Sequence, residues 1–165
     1  MGKRLTTAAA FAAAAGVLVS RDFTRFSVAE ESMAPALLPG DYLIAKRLRR
    51  PPTRGDVVVF EHPTRSGFHL IKRVVGLPGE RVDIASGQVH VNARPLAEPW
   101  ANGPTVGEGS WHLGAQDSFV LGDSRADSAD DSRSLGPVTV DELQWRAVLR
   151  YWPLTRAGRP ASPDS

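Results

Sequence analysis

The hydrophobic positions of this chain come in short runs set between turn residues. Residues 42–46, 56–61, 68–76, 81–84, 88–91, 118–121 and 147–152 each read as a strand. The pieces between them, such as LPGD, RPPTRGD, HPTRSG, LPGE and ASGQ, are rich in the residues that turns require. Val57, Val58, Val59 and Phe60 form an unbroken apolar run, as expected of a strand covered on both faces. In HLIKRVV, adjacent side chains must point to opposite faces, so Lys72 and Arg73 serve different surroundings. Residues 92–117 keep no clean period and are expected to run irregularly over the surface. The tail after Pro153, with Gly158, Pro160 and Pro163, is expected to be disordered. The fold class predicted is mostly β, with no internal repeat.

One segment departs from this pattern. Residues 5–20, LTTAAAFAAAAGVLVS, carry no charge. As a helix they would span roughly 24 Å at ~1.5 Å per residue, short of the ~30 Å hydrocarbon core of a bilayer. A short membrane anchor, a cleaved signal peptide and an Ala-rich helix packed on the domain all fit. Lys3 and Arg4 ahead of the segment favour an N-inside orientation in the first two cases. Arg21 and Arg25 behind it blunt that asymmetry. The organisation expected is an N-terminal anchor or signal-like segment over 1–22, one folded domain over 23–153, and a tail over 154–165.

Composition narrows the chemistry. With 165 residues and 42% apolar content the chain can bury one core. A net charge of +2 is too small to argue for a nucleic-acid partner. There is no cysteine, which excludes disulfides, thiolate catalysis and Cys-ligated metal. His62, His69, His90 and His112 show no close ligand spacing, so neither a metal nor another cofactor is expected. The RGD at 54–56 reads as the turn before the strand DVVVF. The cluster KRLRR at 46–50 reads as a solvated face, with anionic lipid as its one functional reading.

Lysine usage carries the chemical clue. The chain has three lysines among its 20 basic residues, and one of them, Lys72, lies between Leu70, Ile71, Val74 and Val75. Arginine keeps its proton in a protein, whereas a desolvated lysine can lose it near neutral pH. A lysine with apolar flanks can equally carry its amine out to water. Lys46, beside Arg47, Arg49 and Arg50, is of that solvated kind. Upstream, Ser32 in ESMAPALLPGD is a candidate partner, because a neutral amine can take a serine proton and make the hydroxyl a nucleophile.

Four segments in order, SMAPALLPGD, RGDVVVF, IKRVVGLPGE and GDSRADSADDSRSLG, resemble the boxes of the type I signal peptidase family and its mitochondrial inner-membrane relatives. The resemblance covers residues 28–152. It implies a small β-fold of short antiparallel strands with one N-terminal apolar helix. It implies a membrane-bound serine endopeptidase that removes signal peptides from exported proteins after small residues. The partners implied are signal-peptide-bearing preproteins and the lipid bilayer. The location implied is the cell membrane, single-pass, with the catalytic domain outside the cytoplasm.

By the same resemblance Ser32 is the acylating nucleophile, Lys72 the general base, and Ser128 the hydroxyl that orients the lysine amine. Asp123, Arg125, Asp131 and Arg133 match the supporting polar box, and Arg73 is expected to pair with one of its acids. Met33, Leu37 and Ile71 match positions lining shallow substrate pockets. Departures from the pattern are Glu30 where some relatives carry a hydroxyl, Ser124 in place of asparagine, and the doubled Asp130–Asp131. A maturation protease for one dedicated substrate and an inactive relative acting as a binding module are the alternatives. A self-cleaving repressor is disfavoured, because residues 1–27 are too short and apolar for a helix-turn-helix.

Overall fold

The computed structural model describes residues 21–160. The expected apolar helix at 5–20 and residues 161–165 of the expected tail lie outside that range. Among the described residues no helix is long and apolar enough to cross a membrane.

In chain order the strands are β1 (Phe23–Ser27), β2 (Tyr42–Arg47), β3 (Val57–His62), β4 (Arg65–Gly76), β5 (Arg81–Ala85), β6 (Gln88–Val91), β7 (Arg94–Pro95), β8 (Gly109–His112), β9 (Asp117–Leu121), β10 (Val138–Thr139) and β11 (Trp145–Trp152). A short helix, α1 (Ser132–Leu135), precedes β10. The strands form a seven-stranded sheet, β1-β2-β11-β3-β4-β9-β10, and a four-stranded sheet, β7-β6-β5-β8. Every ladder in both sheets is antiparallel.

β3 is the apolar run VVVF, and its position between β11 and β4 explains why all four residues are buried. The turn before it is built by the RGD: Gly55 takes φ +90°, and the Asp56 carboxylate accepts the Thr53 N–H at 3.0 Å. β4 pairs with β3 along its length, with Val58 opposite Lys72 and Val57 opposite Arg73. Its other side pairs with β9 only at Arg73, Val74 and Gly76. That leaves the stretch before Arg73 with one unpaired edge.

Three clusters make the core. Val58, Phe60, Leu70, Val74 and Val120 fill the large sheet. Val75, Val82, Ile84, Leu113 and Phe119 join it to the small sheet. Val28, Met33, Leu37, Leu43, Val57 and Ala147 pack beneath the segment that carries Ser32. Each fully buried side chain of this size stabilises by about 1.5–3 kcal/mol, so that segment is held by packing on both sides of the serine.

Three expectations change. Residues 92–117 are not a free surface excursion: Arg94 pairs with Val91, Trp111 sits opposite Val82, and its ring packs on Phe119 at 4.7 Å. Pairings this short leave no period in the sequence. The strand β1 went unforeseen because it is an edge strand whose residues alternate only between exposed and half-buried. The chain also stays ordered past Pro153. Leu154–Arg156 form a 3₁₀ turn, and Arg150 and Gly158 exchange backbone hydrogen bonds of 2.8 and 3.0 Å.

Gly76 marks the junction of the two sheets. A Cβ there would lie 2.6 Å from Val82, 2.8 Å from Leu113 and 2.8 Å from Phe119. Gly76→Ala is expected to lower stability by about 1–3 kcal/mol through overpacking, read as a drop in the urea midpoint. An unchanged midpoint would show that the junction is slack.

Candidate active site

Ser32 is the middle residue of a 3₁₀ turn, Glu31–Met33. Met33 beside it is 1% exposed and anchors the turn in the core. The loop that follows is tied down from a distance. The Asp41 carboxylate accepts the Leu38 N–H at 2.9 Å and meets Arg150 at 3.4 Å and Arg156 at 3.1 Å. Arg150 also donates to the Ala36 carbonyl at 2.6 Å. The sequence does not link these three residues to one another. A lone Asp after a turn glycine and two arginines near the C-terminus carry no spacing that links them.

Strand alternation now separates two cations. Lys72 is 2% exposed, and its Nζ lies 2.8 Å from Ser32 Oγ, donating to it when protonated. Arg73, fully buried, turns the other way. Its Nε and Nη2 donate to Asp123 Oδ1 and Oδ2 at 2.8 and 2.6 Å, and its Nη1 donates to the Gly55 carbonyl at 2.9 Å. Its guanidinium also stacks 5.2 Å from the Trp100 ring centroid.

The segment from Gly122 to Leu135 covers the serine. Ser124 N–H donates to the Ser32 carbonyl at 3.1 Å. Gly122 has to be glycine at this crossing: a Cβ would lie 2.3 Å from Ser128 Oγ and 2.5 Å from Ser32 O. The Ser128 hydroxyl donates to Asp131 Oδ2 at 2.7 Å. Among the described residues no hydrogen bond joins this hydroxyl to the Lys72 amine, which bonds to Ser32 instead, so the orienting contact expected of Ser128 is not made here. Asp131 is fully buried. It caps α1 through the Arg133 N–H at 3.1 Å and binds the Arg133 guanidinium at 2.8 and 3.0 Å. Arg125, 1% exposed, donates to the Gly122 carbonyl at 3.0 Å and to the Glu98 carboxylate at 2.5 and 3.1 Å.

The doubled acid is resolved by place. Asp131 belongs to the buried network. Asp130 lies outside it, paired with Arg65 and 3.7 Å from His62. Ser124, standing where an asparagine was the expectation, donates to Asp127 at 2.6 Å.

A cleft of about 70 Å³ opens beside the serine and lysine, walled by Val28, Met33, Ile71 and others. It holds roughly two waters at the ~30 Å³ each occupies in the liquid, or one small side chain. Met33 and Ile71, which the resemblance assigns to a substrate wall, both line this cleft. Leu37 does not line the cleft; it is fully buried and packs with Met33 in the core.

Burial pushes the Lys72 pKa below its ordinary value, while the charges of Asp131, Glu30 and Asp130 act in the opposite direction. Burial also pushes the Asp123 carboxyl up, and the Arg73 pair opposes it.

The sequence matches the family described as Signal peptidase, peptidase S26, over residues 1–152. It is 39% identical over 150 residues to a signal peptidase I of Leptolyngbya laminosa, an alignment covering 84% of this chain and 73% of that protein. It is 36% identical over 168 residues to a probable signal peptidase I-2 of Synechocystis sp., covering 96% and 75%. A signal peptidase I of Bacillus caldolyticus is 31% identical over 149 residues, covering 79% and 80%.

The two acids make a paired test of the network. Asp123→Ala strands the buried Arg73 and is expected to cost about 3–5 kcal/mol. Asp130→Ala breaks a half-exposed pair and is expected to cost under about 1 kcal/mol. Urea melts of both variants decide it; equal losses would contradict the burial argument.

Proposed function

This chain belongs to the signal peptidase family, peptidase S26, and is a serine endopeptidase; we propose that Ser32 is its nucleophile, Lys72 its general base, and signal-peptide-bearing preproteins its substrates. The observation that carries the reading is the 2.8 Å contact between Lys72 Nζ and Ser32 Oγ, with a dry amine on one side and a small cleft on the other.

In the first step the neutral Lys72 amine takes the Ser32 proton as Oγ attacks the scissile carbonyl carbon. The developing oxyanion needs donors. As the second residue of its 3₁₀ turn, Ser32 offers a backbone N–H that the turn does not use. An ionised Glu30 carboxylate cannot donate there, so the main chain supplies this charge stabilisation. Collapse of the tetrahedral species breaks the C–N bond, and Lys72 returns its proton to the leaving amine. The acyl ester on Ser32 is then hydrolysed by water, with Lys72 again as base. Ser128, held by Asp131, is the hydroxyl we propose to orient the amine.

The cleft size supports cleavage after small residues. The unpaired edge of β4 and the outer edge of β1 flank the cleft and suit an extended peptide added as a strand. The anchoring segment proposed is 1–22, holding the catalytic domain on the outer face of the membrane. The support for this is the uncharged stretch 5–20 behind Lys3 and Arg4.

Cleavage of a signal-bearing preprotein tests the reading. Ser32→Ala and Lys72→Arg are each expected to abolish turnover. Wild-type activity is expected to rise with pH through the lowered Lys72 pKa. The stability sign follows from the same shift. Between the folded and unfolded pKa values the unfolded chain binds more protons, so stability rises with pH there. Lys72 thus destabilises the fold most below its folded pKa and not at all above the unfolded value. Lys72→Met is expected to be inactive and at least as stable as wild type at pH 7. Near-normal turnover by Lys72→Arg, or marked instability of Lys72→Met, would refute the assignment.

A further inference from the structure

The wall of the cleft holds two exposed ionisable side chains, Glu30 and His69, beside the buried Lys72. His69 is occupied in part by ring contact with Phe26 at 5.3 Å between centroids. Glu30 is different. It precedes the 3₁₀ turn of Ser32 yet makes no side-chain capping bond. Among the described residues its carboxylate has no ion-pair or hydrogen-bond partner. Lys72, beside it in the cleft wall, is buried and forms no ion pair with it. An unpaired carboxylate therefore stands in water at the rim of the cleft that receives the substrate.

An extended peptide presents alternate side chains to opposite sides. If the residue just before the scissile bond fills the cleft, the one upstream of it points outward, toward the rim. We propose that Glu30 is a specificity-determining residue that favours a basic side chain at the second position before the scissile bond. This rests on the Ser32–Lys72 reading above. The favoured substrate is a polypeptide with a small residue at the bond and Lys or Arg immediately upstream of it. Attraction between two solvated charges is modest and screened by salt, so the preference is graded rather than absolute. The field of Glu30 also reaches Lys72, where it acts to hold the proton on the amine; a change at Glu30 therefore moves the pH profile as well. The two effects separate, because a shift of the base acts on all substrates alike.

The test uses the full-length protein and three peptides that differ only at the second position before the bond, carrying Lys, Gln or Glu. For wild type the expected order of kcat/KM is Lys above Gln above Glu, with a step of about two- to five-fold, the range for an exposed ion pair. The difference should sit in KM and shrink at high salt. Glu30→Gln should bring the three peptides together, and Glu30→Lys should reverse the order. If Glu30→Gln keeps the wild-type order, or changes all three peptides by one common factor with a displaced pH profile, Glu30 acts only through Lys72 and the proposal is overturned. If wild type cleaves none of the peptides and no signal-bearing preprotein, the serine–lysine reading itself fails. Cleavage of preprotein together with equal rates on all three peptides overturns the Glu30 proposal alone.

Discussion

The contact between Lys72 Nζ and Ser32 Oγ makes two demands that pull against each other. For Lys72 to be the base we propose, its amine must be dry enough to lose its proton near neutral pH, yet it must sit beside a polar hydroxyl on a chain rich in charge. A half-exposed lysine would meet the second demand and fail the first, since solvation restores its proton. The fold places Lys72 on β4, paired with β3, and leaves it 2% exposed, and that burial lowers its pKa. The remaining charges then have to be arranged around that amine without protonating it.

Period-two alternation supplies the arrangement. Arg73, one residue on, is sent to the opposite side, where Asp123 takes both ends of its fork. A buried guanidinium next to a buried amine would otherwise be an uncompensated charge costing several kcal/mol. Asp131 is the acid nearest in effect to the lysine, and its charge works to hold the proton on. The fold blunts that charge by giving the carboxylate Arg133, the Ser128 hydroxyl and two backbone N–H groups. Positive and negative charges thus pair with each other and leave the lysine to desolvation. The serine is fixed separately, by a core beneath its turn and by Arg150 and Arg156 reaching back to its loop.

What the sequence makes legible follows from how local each signal is. The strand VVVF and the alternation around Lys72 are written in adjacent residues, so their burial and the opposite facing of Lys72 and Arg73 can be read directly. The boxes holding Ser32, Lys72 and Ser128 are legible because a resemblance orders them, although they stand up to 96 residues apart (Ser32 to Ser128). The Asp41–Arg150–Arg156 tie spans more than 100 positions and matches no local pattern. Of its three residues, only Arg156 falls in the tail that composition marks for disorder. Residues 92–117 failed for a related reason: two- and four-residue strands gain their stability from partners in β5 and β6, not from a period of their own. Leu37 shares the buried cluster of Met33 but lies off the cleft wall, a difference that position within a box does not reveal.

The state of one amine decides the account, and the chain makes that state accessible to measurement. It has three lysines, so the side-chain carbons next to the amines can be labelled and followed individually by NMR as pH is raised. The account predicts that Lys72 loses its proton at a pH clearly below the ordinary lysine value of ~10.4, and that Ser32→Ala leaves this shift intact because burial causes it. Titration of Lys72 at or above the ordinary value would mean that the amine is charged at working pH and cannot be the base.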